Sequence, residues 1–222
     1  MPAIKTIIIV AILITAGCQG GANQFKKAIV PVDVQIIRYH LGEYNKSLEE
    51  FTRRLYLKNP KYEKDLEARK TKIRGIFHTG VLPHTGLNDL PSHVILEAAF
   101  SKDPMYKDRV YLLSLGLSKS VQEAYDIKKA MFFTSIQIPL ERLQRLYHNI
   151  AHANWRLKTY RDEKGDLLFL TNEAGENGYI NMGYEVIMTE ILTRVKDDIF
   201  LRGGAPPKLV FYMSTLFLSI LI

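Results

Sequence analysis

The residues of this 222-residue chain best spaced for chemistry are two histidines four apart, in His148-Asn149-Ile150-Ala151-His152. On a helix they share one face and could hold a zinc ion between them. A zinc hydrolase built on such a pair needs Glu beside the first histidine as general base. Asn149 stands there instead. What is left is a bare two-histidine pair, with Glu173, Glu176 or Glu190 as a carboxylate to add to it. His78 and His84, each followed by Thr-Gly, lie six apart in a loop and offer a weaker metal pair. Residues 172–178 carry Asn and Glu oxygens, but their spacing matches no calcium loop. No catalytic constellation is complete, so the expectation is a chain with no catalytic residue, no cofactor and no dedicated metal site.

Cys18 is the only cysteine, so no disulfide within the chain can form. Its neighbours give it a different chemistry. Residues 7–14 are an unbroken apolar run behind Lys5. Eight residues are far short of the roughly 20 that span a bilayer, but they suit the core of a secretory signal, about 7–15 residues. Ala16 and Gly17 are small and lead directly into the thiol. Ile14-Thr15-Ala16-Gly17-Cys18 resembles the lipobox of bacterial lipoproteins, with Thr15 where that pattern usually has Leu. The resemblance implies cleavage between Gly17 and Cys18, a diacylglyceryl group on the Cys18 sulfur, and attachment to the membrane through that lipid. Gln19, rather than Asp, follows the cysteine. For such lipoproteins this implies the outer membrane, facing the periplasm.

The elements behind this anchor read as mainly α. Residues 1–17 form the signal peptide, 18–30 a lipidated cysteine with a flexible tether rich in Gly and Asn, and 31–222 a single domain. Composition fits one globular core, with 47% hydrophobic and 24% charged residues. The formal net charge of +7 suits anionic surfaces. An exported chain gives nucleic acid no role.

Ile37, Leu41, Tyr44, Leu48, Phe51 and Leu55 recur at steps of four and three and predict an amphipathic helix. Pro60 predicts the start of a second helix, to about 77. Residues 42–60 are similar to one helix of a tetratricopeptide repeat. Ser47 and Arg54 depart from that pattern, and no second copy accompanies it. Short helices are expected after Pro91, after an Asp103 cap with Pro104, over 121–135, after Pro139, and over about 184–196.

A β-hairpin is expected over 155–171, turning at Asp162-Glu163-Lys164-Gly165. Residues 209–222 carry no charge. As a helix they would measure roughly 21 Å, short of the ~30 Å hydrocarbon layer. They are expected to form a helix in the core or a contact surface for a membrane or partner. Together these features describe a lipid-anchored envelope protein acting as a non-enzymatic binding, assembly or scaffolding factor with an envelope protein as partner. The competing readings are a membrane-tethered metal-dependent hydrolase using His148 and His152, and a carrier of a hydrophobic ligand.

Overall fold

The computed structural model describes residues 32–126, 138–172 and 182–221. Cys18, Gly17, Glu173, Glu176 and most of the expected 121–135 helix lie outside these residues. Within them the chain is mainly α, with six α-helices: α1 Val32–Lys58, α2 Leu66–Arg74, α3 Ser92–Phe100, α4 Arg109–Tyr125, α5 Leu140–Thr159 and α6 Gly183–Leu201. Helix α4 is central, packing against α1, α3 and α5, while α6 closes the bundle against α1 and α5.

The stripe read from sequence is the buried face of α1: Ile37, Tyr44, Leu48, Phe51 and Leu55 are all buried. Helix α2 begins later than Pro60 suggests. The Asp65 carboxylate accepts from the amides of Glu67 and Ala68 and so fixes the first turn. Helix α4 likewise starts at Asp108 rather than Asp103. One Asp108 oxygen caps Tyr111 N at 2.9 Å, while the other accepts from Tyr56 Oη at 2.9 Å and Lys72 Nζ at 2.7 Å. Three partners outweigh one favourable dipeptide. Gly116 lies inside α4 where α3 crosses it. A Cβ on it would sit 2.8 Å from Leu96 Cδ2.

The expected β-hairpin is not formed. Residues 155–159 continue α5, burying Arg156 and Leu157, and a single bridge joins Arg161 to Leu167. The turn itself is present. Gly165 has φ of 85°, and Asp162 Oδ1 accepts from the amides of Lys164 and Asp166. Pairing stops because the loop after α1 takes the next backbone groups. Asn59 receives Leu170 N–H at 2.8 Å and donates to Leu170 O at 2.9 Å, and Tyr62 Oη donates to Leu168 O at 2.5 Å.

The C-terminal helix is not formed either. After Gly203, at φ 73°, residues 205–221 run without regular structure. Beyond Pro207 the backbone groups are taken by side chains of α5 rather than by a helix of their own.

One end of the bundle is fastened by a buried carboxylate. Asp198 of α6 is fully buried. It accepts from Tyr44 Oη at 3.0 Å and from Tyr125 Oη, and its other oxygen lies 2.7 Å from His40 Nδ1. Tyr44 and Tyr125 also meet each other at 3.1 Å. Burial, with the Asp198 charge beside it, holds the Tyr44 phenol protonated far above its ordinary range. Three helices therefore converge on one charge: the first half of α1, the end of α4 and the end of α6.

Candidate functional site

The pair His148 and His152 does lie on one helix, α5, with ring centroids 5.8 Å apart. What surrounds it differs from a metal pair. Arg145, Asn149, His152 and Arg156 follow one another at steps of four, three and four. They form a polar stripe along α5, and residues 209–221 lie across it as a strap.

Three side chains of the stripe, Arg145, Asn149 and Arg156, hydrogen-bond the extended chain. Arg145 Nη1 donates to Ser219 O at 2.6 Å. The Asn149 amide pairs with Leu218 in both directions, donating to its carbonyl at 2.7 Å and accepting its N–H at 2.8 Å. Arg156 Nη2 donates to Thr215 O at 2.6 Å. His148 Nε2 approaches Leu216 O at 3.4 Å. An asparagine side chain that serves one residue's N–H and C=O together replaces a neighbouring β-strand, so the strap needs no sheet. Phe217 and Ile220 fill the groove below and are buried.

Arg156 is the centre of this arrangement. It is 1% exposed, yet it is a cation. Its guanidinium reaches Thr215 O, Glu97 Oε1 at 3.0 Å and His152 Nε2 at 3.1 Å. Rings of Phe217, Tyr160 and Phe100 lie 4.6, 4.7 and 5.5 Å from it. A weakly hydrated, planar cation among aromatic faces is the form in which a buried charge is least costly.

The same guanidinium explains His152. That ring is fully buried, stacked on Phe211 at 4.9 Å and 8°. Burial first, then the Arg156 cation, lowers its pKa to about 3. It is neutral at physiological pH, and its Nε2 is committed to the Arg156 N–H. Nδ1 is then the protonated nitrogen, and it is buried with no partner. A metal ion here would need Nε2 freed and a second cation placed beside Arg156. The geometry therefore spends His152 on the strap, not on a metal. Among the described residues, no cluster of three His, Cys, Asp or Glu side chains is placed to hold a metal ion. His78 pairs instead with Glu49 at 3.1 Å, and the His84 ring packs on Tyr106 and Tyr111.

The strap's outer edge is unlike its inner one. Val210, Tyr212, Met213, Leu216, Leu218 and Leu221 are exposed. Beside it, Leu216 and Phe217 meet Val94, Ala98 and Met105 in an open, mainly apolar cleft of about 470 Å³. No helix among the described residues is long and apolar enough to cross a membrane.

Sequence reasoning found His148 and His152 but missed Arg145, Asn149 and Arg156 as backbone-reading groups. The available signal was three polar residues on the inward stripe beside Leu146, Ile150, Ala153 and Leu157. The chain matches no protein-family model, no curated protein and no solved structure.

Proposed function

We propose that this chain is a lipid-anchored cell-envelope protein, held in the membrane through Cys18 and facing the periplasm, that acts as a non-enzymatic binding or assembly factor. The observation that carries the binding role is the strap. Its backbone is fixed by Arg145, Asn149 and Arg156, while its outer edge presents uncharged, apolar side chains to solvent. An exposed apolar strip on a rigid backing is the usual form of a contact surface. Its partner is an envelope protein with a complementary apolar face.

The second reading, a carrier of a hydrophobic ligand, is favoured by the cleft that Leu216 and Phe217 share with Met105. A photo-crosslinking residue placed at Tyr212 or Leu216 in living cells separates the two. The binding reading expects a discrete protein adduct at these sites and none at Leu57, which is also exposed but on α1. Crosslinks to small lipophiles alone, or no strap-specific adduct, would contradict it and favour the carrier.

A further inference from the structure

The exposed apolar residues are not confined to the strap. A second group gathers at the end of the bundle where Asp198 joins α1, α4 and α6. On α1, Val32, Ile36 and Tyr39 follow at steps of four and three, and so form a stripe on its first two turns. Val32 is 71% exposed and Tyr39 62%. On α6, Phe200 is 54% exposed and Leu201 follows it on the last turn.

Side-chain contacts place these two segments at one end. His40, one residue beyond Tyr39, touches Asp198, two residues before Phe200. The start of α5 is there too, since Arg202 Nε donates to Ile138 O at 2.6 Å and Gln144 donates to Ala205 O at 3.1 Å. Lys196, whose ammonium lies 5.9 Å over the Phe200 ring, and Arg202, which bonds Ile138 O, supply positive charge around the patch. Asp33 and Asp197 share this end, so charge alone does not choose what covers it.

The path of the chain does choose. Val32 opens α1, and only residues 19–31 separate it from Cys18. Fully extended, that tether reaches at most about 45 Å. A bilayer holding Cys18 is thus presented to this end at high effective concentration. We infer that this end is a membrane-resting foot: Val32, Ile36 and Tyr39 of α1, with Phe200 and Leu201 of α6, enter the headgroup region of an anionic bilayer. Lys196 and Arg202 meet its phosphates.

The foot rests on the anchor reading for the direction of approach, but its contact is separate from the lipid. It orients the domain, so that α5 and the strap stand out from the membrane along their length, where a periplasmic partner can reach them. A stripe of this kind lies roughly 5–10 Å into the boundary of headgroups and acyl chains.

Site-directed nitroxides test this on the membrane-extracted protein in vesicles of phosphatidylethanolamine and phosphatidylglycerol. With Cys18 acylated, an introduced cysteine is the only free thiol. Labels at Ile36→Cys, Tyr39→Cys and Phe200→Cys are expected to be relaxed by oxygen and shielded from a water-soluble nickel chelate. Labels at Leu57→Cys and Met105→Cys, toward the opposite end, are expected to behave as in water. All five positions are outside the core, and the far-ultraviolet spectrum checks that each variant folds.

Intact mass of the same samples reports acylation independently. Foot labels as open to nickel as the distant ones, with Cys18 acylated, would overturn the foot and leave the anchor standing. If Cys18 is unacylated, the same labels in a Cys18→Ser background decide the matter. Shielding there supports the foot without the anchor, and failure to bind vesicles overturns both.

Discussion

Replacing Asp198 by alanine is expected to cost about 3–5 kcal/mol of folding stability, enough to threaten a domain whose total is typically 5–15 kcal/mol. The carboxylate is fully buried and has three partners from two other helices: His40 and Tyr44 of α1, and Tyr125 of α4. Alanine leaves two phenols and an imidazole facing a void. Each buried group without a partner costs about 1–3 kcal/mol, and the lost volume adds a cavity term. Asp198→Asn keeps the volume and one acceptor oxygen, so its cost is expected to be smaller. Urea unfolding followed by circular dichroism measures both. A loss below about 1 kcal/mol for Asp198→Ala would mean that the cluster does not join the three helices as described.

The second large effect is expected at Arg156. Arg156→Ala removes the donor to Thr215 O and the partner of His152 Nε2, both inside the protein. It also leaves the rings of Phe100, Tyr160 and Phe217 without the cation they enclose. The expected loss is about 2–4 kcal/mol, given 1.5–3 kcal/mol for a hydrogen bond to a charged group and further cost for groups left unsatisfied. Its character matters more than its size. The strap should loosen while the bundle stays folded, since α1, α4 and α6 are fastened elsewhere. Hydrogen exchange at Leu218 N–H, which Asn149 protects, should accelerate far more than exchange within α4. Arg156→Lys is not expected to rescue it, because an ammonium cannot serve three directions in one plane. Full protection of Leu218 in Arg156→Lys would show that charge alone holds the strap.

These two residues also mark what could and could not be read from the chain. The stripe from Ile37 to Leu55 was legible because an amphipathic helix writes its period locally. The capping carboxylates were half legible. Asp103-Pro104 carries the better local pattern, but Asp108 wins through Lys72 and Tyr56, which are distant in sequence. Asp198 offered one clue, a charge on the inward stripe between Val195 and Ile199. Its partners lie up to 158 residues away, so their identity was not readable.

The β-hairpin and the C-terminal helix fail for a common reason. In both places side chains of a distant helix or loop, Asn59 and Tyr62 in one case and Arg145, Asn149 and Arg156 in the other, take backbone groups that local structure would have paired. Apolar periodicity reports which residues are buried. It is silent about which polar side chain will substitute for a missing strand. His148 and His152 stood out by their spacing, but the groups that surround His152, Arg156 and Phe211, gave no such signal.

The proposed envelope function requires that Cys18 hold the chain at a membrane, and fatty-acid labelling of cells tests that most directly. With a clickable fatty acid, the wild-type protein is expected to take up label, and its mature mass is expected to begin at Cys18 with acyl chains added. Cys18→Ser is expected to incorporate none and to leave the membrane fraction. Equal labelling of the two proteins, or a wild-type mass that retains residues 1–17 without lipid, would contradict the account.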